Sequence, residues 1–217
     1  MESQVRGGTR WKRFAVVMVP SVAATAAIGV AMAQGALAAS FSVSGQSFKV
    51  TAKELRGEGF TQYGALTEGY TLTGDKVHHP VAVSSFREAH IEKMCQSVVT
   101  PNIPVIGSVT LRLEAGNSSD EDKQVFAKNL QLDVEKLEAD ATFEGMEIGV
   151  AAGDLSKGPG MQGGKEQANR FGFAQQSDRA VLKDVKQTAW ATTAGTFKLP
   201  NLSMSLHKGK GKNIECY

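Results

Sequence analysis

The sequence predicts a mainly β protein: a single elongated antiparallel or layered β domain, preceded by an N-terminal apolar helix. Three observations predict it. Apolar and polar residues alternate with period two in several separate segments, which puts one set of side chains on one face of a strand. Helical spacing arises in one place only beyond the leader, around Ser85–Gln96. Short strand–turn–strand patterns recur along the chain.

The first element is a leader, residues 1–39. Arg6, Arg10, Lys12 and Arg13 form a basic head, and Phe14 to Ala33 is a 20-residue uncharged run. Gly35-Ala36-Leu37-Ala38-Ala39 follows, with small residues spaced A-x-A. A basic head, an apolar run and a small-residue end are what the secretion machinery reads. The A-x-A ending at Ala38 and the soft Ala/Gly composition favour removal as a signal peptide. The length of the run is enough to span a bilayer as a helix and favours retention as an anchor. Either way residues 40–217 are expected outside the plasma membrane, extracellular or in the cell envelope.

The exported part reads as strands. Phe41, Val43, Phe48 and Val50 suggest a strand or pair at its start. Around Ser85–Gln96, Phe86, Ala89, Ile91 and Met94 make a helical stripe, with a strand reading in competition. Val109, Leu111 and Leu113 alternate with polar residues; so do Leu130, Leu132 and Val134, then Met146, Ile148 and Val150, then Leu202, Met204 and Leu206. In each case the apolar face is expected to be buried. Ala127-Lys128-Asn129-Leu130 is followed 13 residues later by Phe143, and Leu182-Lys183-Asp184-Val185 is followed 12 residues later by Phe197. Pro101-Asn102-Ile103 and Pro200-Asn201-Leu202 each precede an alternating strand. The echoes fit a strand–turn–strand unit used several times. Gly153 to Gly172 is Gly-rich and reads as a long exposed loop.

Charge and cysteine count bound the partners. The chain has 24 Lys and Arg against 22 Asp and Glu, and the leader takes four of the former and one of the latter. The exported part is therefore close to neutral, without the basic excess that nucleic-acid binding requires. Its only cysteines are Cys95 and Cys216. An even number in an exported chain predicts one disulfide, closing a loop of about 120 residues and worth about 4–5 kcal/mol in the chain-entropy model.

Motifs that carry chemistry are weak. The strained G-x-S-x-G elbow of serine hydrolases is absent. His78, His79, His90 and His207 could each meet a serine in space, but number alone says little. Adjacent His78 and His79 point to opposite faces of a strand, and no H-x-x-x-H or Cys pair supports a metal site. No cofactor is expected. The stretch ending in Lys165 fails as a phosphate loop, because Pro159 replaces its first glycine and Glu166 its Ser or Thr. Asp120-Glu121-Asp122 lacks the alternating ligands of a calcium loop and reads as a charged turn. Lys208, Lys210 and Lys212 form a cationic turn beside Cys216, a candidate contact for an anionic surface.

The leader Met1–Phe14, Phe41-Ser42-Val43-Ser44-Gly45-Gln46-Ser47-Phe48-Lys49-Val50, Leu55-Arg56-Gly57-Glu58-Gly59-Phe60 and Met94-Cys95-Gln96-Ser97 resemble a family of small exported or membrane-anchored actinobacterial proteins, of the Streptomyces type. Some of its members carry the label cholesterol esterase. The resemblance implies an envelope address and a tie to lipids, and it assigns no catalytic residue. The expected function is accordingly a non-catalytic envelope protein that binds a hydrophobic ligand or a membrane or envelope protein partner, or serves a structural role. The alternatives are a lipid ester hydrolase, from the family label alone, and a membrane-tethered assembly subunit.

Overall fold

The structure is a computed structural model that describes Met18, residues 43–161 and residues 166–217. The leader and the strand start at Phe41 lie outside the described residues, apart from Met18 and Val43. Residues Ala38–Tyr217 form one compact unit. Its described residues hold ten strands: β1 (Phe48–Tyr70), β2 (Lys76–Glu92), β3 (Met94–Ile103), β4 (Gly107–Ala115), β5 (Val125–Glu144), β6 (Glu147–Ala151), β7 (Glu166–Gln167), β8 (Phe173–Thr193), β9 (Thr196–Lys198) and β10 (Ser203–Lys208). Every strand-to-strand pairing is antiparallel.

Four long strands close into a barrel. β1 pairs with β2, β2 with β5, β5 with β8, and β8 returns to β1. Closure removes the sheet edges that an open or layered arrangement would expose. The expected layered repeat array is thus replaced by a sheet that curls on itself. Outside the barrel, β3 continues β2 along β1, and β4 and β10 extend from β3 as a three-stranded wing.

The strands close because they bend, and the bends are visible in the backbone. Lys93, Asn129 and Asp184 hold φ of 52°, 48° and 51°, and Gly59 holds 65°. Register sets Lys53 between Lys93 and Asp184 in one transverse row, and Arg87 between Gly59 and Asn129 in another. A left-handed residue in a strand bends it and flips which face the next side chains occupy. The segment Ser85–Gln96 is strand interrupted at Lys93 and not a helix; the flip at Lys93 explains the three-residue step from Ile91 to Met94, while the step from Phe86 to Ala89 straddles Arg87, which register sets between Gly59 and Asn129. The same step recurs from Ala127 to Leu130 across Asn129, and from Leu182 to Val185 across Asp184.

Two apolar clusters sit on opposite faces of the barrel wall. Phe60, Phe86, Ala89, Leu130, Leu132, Ala180 and Leu182 belong to the inner one. Tyr63, Val81, Val83 and Ala174 belong to the outer one, covered by Ala152, Leu155, Met161 and Ala168. The Gly-rich segment is therefore only partly an exposed loop: Gly153, Asp154, Ser156 and Asn169 to Phe171 are exposed, while Leu155 and Lys157 to Met161 are half-buried. It lies as a strap on the barrel wall. Thr61 Oγ1 donates to Pro159 O at 2.6 Å, and Gln176 Oε1 accepts from the backbone N–H groups of Ser156 and Lys157 at 2.8 and 3.0 Å. A Cβ at Gly158 would stand 1.9 Å from Gly59 O, so only glycine lets the strap approach this closely.

Two of the alternating segments do not bury their apolar face. All six residues of β10 are exposed, with Met204 at 60% and Leu206 at 72%. β6 leaves Ile148 at 68%. Both are outermost strands with a neighbour on one side only among the described residues. Alternation is a property of one strand, while burial needs a second layer.

Candidate functional site

The barrel interior is not filled. A cavity of about 170 Å³ lies among side chains from all four barrel strands, including Leu55, Phe60, Phe86, Leu132, Phe143 and Leu182. Phe60 holds its floor in place, with its ring centroid 5.3 Å from Phe86 and 5.2 Å from Phe143. Phe86 in turn fits because residue 57 is glycine: a Cβ there would stand 2.2 Å from the Phe86 ring. Tilted aromatic contacts of this kind fix ring orientation.

One polar ladder crosses the wall. Gln175 Nε2 donates to Gln62 Oε1 at 2.5 Å, and Gln62 Nε2 donates to Ser84 Oγ at 2.7 Å. Gln62, Ser84 and Gln187 are the polar side chains lining the cavity. Few convergent polar groups in an apolar hollow are the usual make-up of a small-ligand site. The volume limits the ligand. An apolar cavity of about 150 Å³ holds a benzene-sized molecule, and drug-sized ligands need about 300–1,000 Å³. The hollow takes one ring or the end of an alkyl chain; a four-ring sterol does not fit inside.

The cavity does not end at the barrel. A second hollow of about 30 Å³ shares Leu55, Leu132 and Gln187 with it and reaches Val50, Met94, Gln96 and Phe197. Register carries this surface outward, because residues directly opposite in neighbouring strands share a face. Gln187 faces Val50, Val50 faces Gln96, Gln96 faces Leu113, and Leu113 faces Met204. The next row adds Val98, Leu111 and Leu206. Leu113 packs against the barrel core. An apolar face thus runs from the barrel interior to the exposed edge of the wing.

The residues singled out from the sequence scatter around this feature. Cys95 and Cys216 are joined in a disulfide, with Cα atoms 5.9 Å apart, on the opposite, polar face of the wing. It pins the C-terminus, where Cys216 N donates to Ser97 Oγ at 3.0 Å and Lys49 Nζ meets Glu215 Oε2 at 2.8 Å. Burial alone would raise the Glu215 carboxyl, but the Lys49 ammonium, the Gly211 N–H and the Lys210 charge hold it below the usual range. Lys208, Lys210 and Lys212 are all exposed at the end of the wing. Asp120 caps a short 3₁₀ turn by accepting from Asp122 N at 3.3 Å, and Glu121 pairs with Arg56 at 3.6 Å.

The histidines go elsewhere. His79 stacks on Trp190 with ring centroids 3.5 Å apart on the strap side of the barrel, and burial lowers its pKa. Its Nε2 is buried with no hydrogen-bond partner among the described residues. Nearby, Thr67 Oγ1 donates to Asp133 Oδ2 at 2.8 Å, and burial raises the Asp133 carboxyl. Among the described residues, no group of three or more His, Cys, Asp or Glu could hold a metal. Ser205 Oγ and His207 Nε2 stand 2.8 Å apart, but both are exposed on β10, and neither lines a cavity described above.

Sequence reasoning missed the cavity. Phe60, Phe86 and Phe143 sit on three different strands, and nothing in their spacing announces that they meet. Gly57, over which the Phe86 ring lies, is the one available signal, since an interior strand glycine marks close approach.

Residues 44–217 match DUF6230, a family of unknown function. No curated protein and no solved structure matches the chain.

Proposed function

We propose that this chain, which belongs to the DUF6230 family, is a non-catalytic binding protein of the cell envelope whose barrel takes the end of an alkyl chain. The observation that carries this is the continuity of apolar surface from the 170 Å³ cavity to the exposed face of β10. A buried end and an open trough suit a long, thin ligand better than a compact one. Burying apolar surface supplies about 0.8 kcal/mol per methylene, so micromolar binding takes about ten of them, shared between the cavity and the trough outside it. The ladder of Gln175, Gln62 and Ser84 gives the wall a polar register mark without placing a charge inside. The exported address rests on the leader, with its basic head and apolar run.

The esterase reading has one observation in its favour, the Ser205–His207 contact. Ester hydrolysis also needs oxyanion donors and a substrate held over the nucleophile. An exposed strand face in water offers neither. The test is a single experiment with two readouts. The oxidised protein is titrated with saturated fatty acids of increasing length, and assayed in parallel on esters of the same acids. Saturable fatty-acid binding without turnover is the expected result. Turnover abolished by Ser205→Ala, or no binding at any chain length, overturns the reading.

A further inference from the structure

The far end of the wing combines two features that the barrel does not require. The first is the β3–β4 turn, Ile103-Pro104-Val105-Ile106, closed by Ile106 N donating to Ile103 O at 3.2 Å. Its tip is apolar and bare: Val105 is 105% exposed and Ile106 48%. Val105 also holds φ of 69°, at a position where glycine or asparagine is the inexpensive choice. Folding alone does not ask for a β-branched side chain there.

The second feature is the basic turn after β10. Gly209 N donates to Ser108 O at 2.7 Å, and Thr110 Oγ1 donates to Gly209 O at 2.7 Å. Those bonds tie Gly209, and with it the flanking Lys208 and Lys210, to the start of β4, which follows the β3–β4 tip. Register places Lys208 on the same face as Leu206 and Met204. Lys208 therefore stands on the face of the exposed apolar residues Leu206 and Met204, with Lys210, whose charge also reaches Glu215, and Lys212 in the turn that follows.

We infer that this end of the wing docks on an anionic lipid bilayer, with Val105 and Ile106 entering the interface and the three lysines meeting headgroup phosphates. Charge complementarity selects this occupant. Lysine stems lie along apolar surface while their ammonium groups reach polar surroundings, which is the geometry of an interfacial anchor. Edge-to-edge pairing with a second copy fits less well, because β10 is six residues long and ends on lysines, the devices by which proteins blunt a free edge.

The experiment uses the full chain and a local readout, so that any membrane affinity of the leader does not count. Amide exchange of residues 103–109 and 205–212 is measured with phosphatidylglycerol vesicles, with phosphatidylcholine vesicles, and without lipid. Protection on the anionic vesicles alone is expected. In the variant K208Q/K210Q/K212Q the lipid concentration giving half protection should rise on the order of 100-fold, and added salt should act in the same direction. Val105→Asp should abolish protection while the exchange pattern of the barrel strands stays unchanged, which shows that the variant is folded. Equal protection on both vesicle types, no protection on either, or an unaltered lysine variant overturns the inference. So does protection that appears without lipid as protein concentration rises, since the surface would then be an interface between copies.

Discussion

Breaking the Cys95–Cys216 bridge should cost the domain about 5 kcal/mol at most, and the size follows from the loop it closes. The bridge spans 121 residues. In the chain-entropy model a loop of that length removes about 5 kcal/mol worth of freedom from the unfolded chain. The folded side should change little, because the tail keeps other holds. Lys49 Nζ meets Tyr217 O at 3.0 Å and Glu215 at 2.8 Å, and the Tyr217 and Thr188 hydroxyls stand 3.0 Å apart. The perturbation is C95A/C216A, which leaves no stray thiol. The assay is urea unfolding of the oxidised protein and the variant. The variant should lose about 2–5 kcal/mol, and its m value should rise because its unfolded chain is less compact. A melting temperature lower by roughly 5–20 °C is the matching thermal result. A loss under about 1 kcal/mol with an unchanged m value would refute the reasoning.

Other outcomes follow from particular contacts. Phe86→Ala should destabilise by about 3–5 kcal/mol in the same urea assay, as Phe86 is 1% exposed and packs on Phe60 and Gly57. Gly57→Ala should cost about 1–3 kcal/mol by overpacking that ring, and pairing it with Phe86→Leu should restore part of the loss. His79 has a folded pKa below its unfolded value of 6.5, so its contribution is complete above that value and is lost as pH falls below it toward the folded pKa. Urea midpoints measured from pH 7 down to 5 should therefore decline less steeply for His79→Phe than for the native protein. Asp133 has the opposite sign: its raised folded pKa favours the protonated form, so its contribution is present below the unfolded value of 3.8 and lost as pH rises through the folded one. Asp133→Asn, which can still accept from Thr67, should leave stability at pH 7 equal or higher by thermal melting.

Of the strands that the sequence shows most plainly, only β5 belongs to the barrel. Alternation at Leu111, Leu132, Ile148 and Met204 does locate β4, β5, β6 and β10. Two of these lie on the outside, where their apolar faces meet no second layer. The long strands that build the cavity are harder to see, because β1, β5 and β8 each carry a residue that flips their faces and breaks period two, and β2 ends on another, Lys93. Lys93 and Asp184 turn an alternating pattern into steps of three, which imitate a helix. The faint repeats have a physical origin in the same backbone state. Asn129 and Asp184 correspond in one echo, Asn102 and Asn201 in the other, and all four have positive φ, between 48° and 56°. Asn and Asp tolerate that conformation better than other side chains, so a bend leaves a compositional trace. The disulfide was legible from cysteine count and the leader. The cavity was not, because ring closure between β8 and β1 joins residues over a hundred positions apart.

The central claim is that the barrel hollow holds the end of an alkyl chain, and filling the hollow tests it most directly. Ala139 lines the cavity and packs against the core, so Ala139→Phe would occupy the space a chain end needs. The measurement is calorimetric titration of the native protein and this variant with the saturated fatty acid that binds the native protein best. At least a tenfold loss of affinity, with a melting temperature equal to or above that of the native protein, is the predicted result. Equal affinity in a folded variant would place the ligand somewhere other than the barrel and contradict the account.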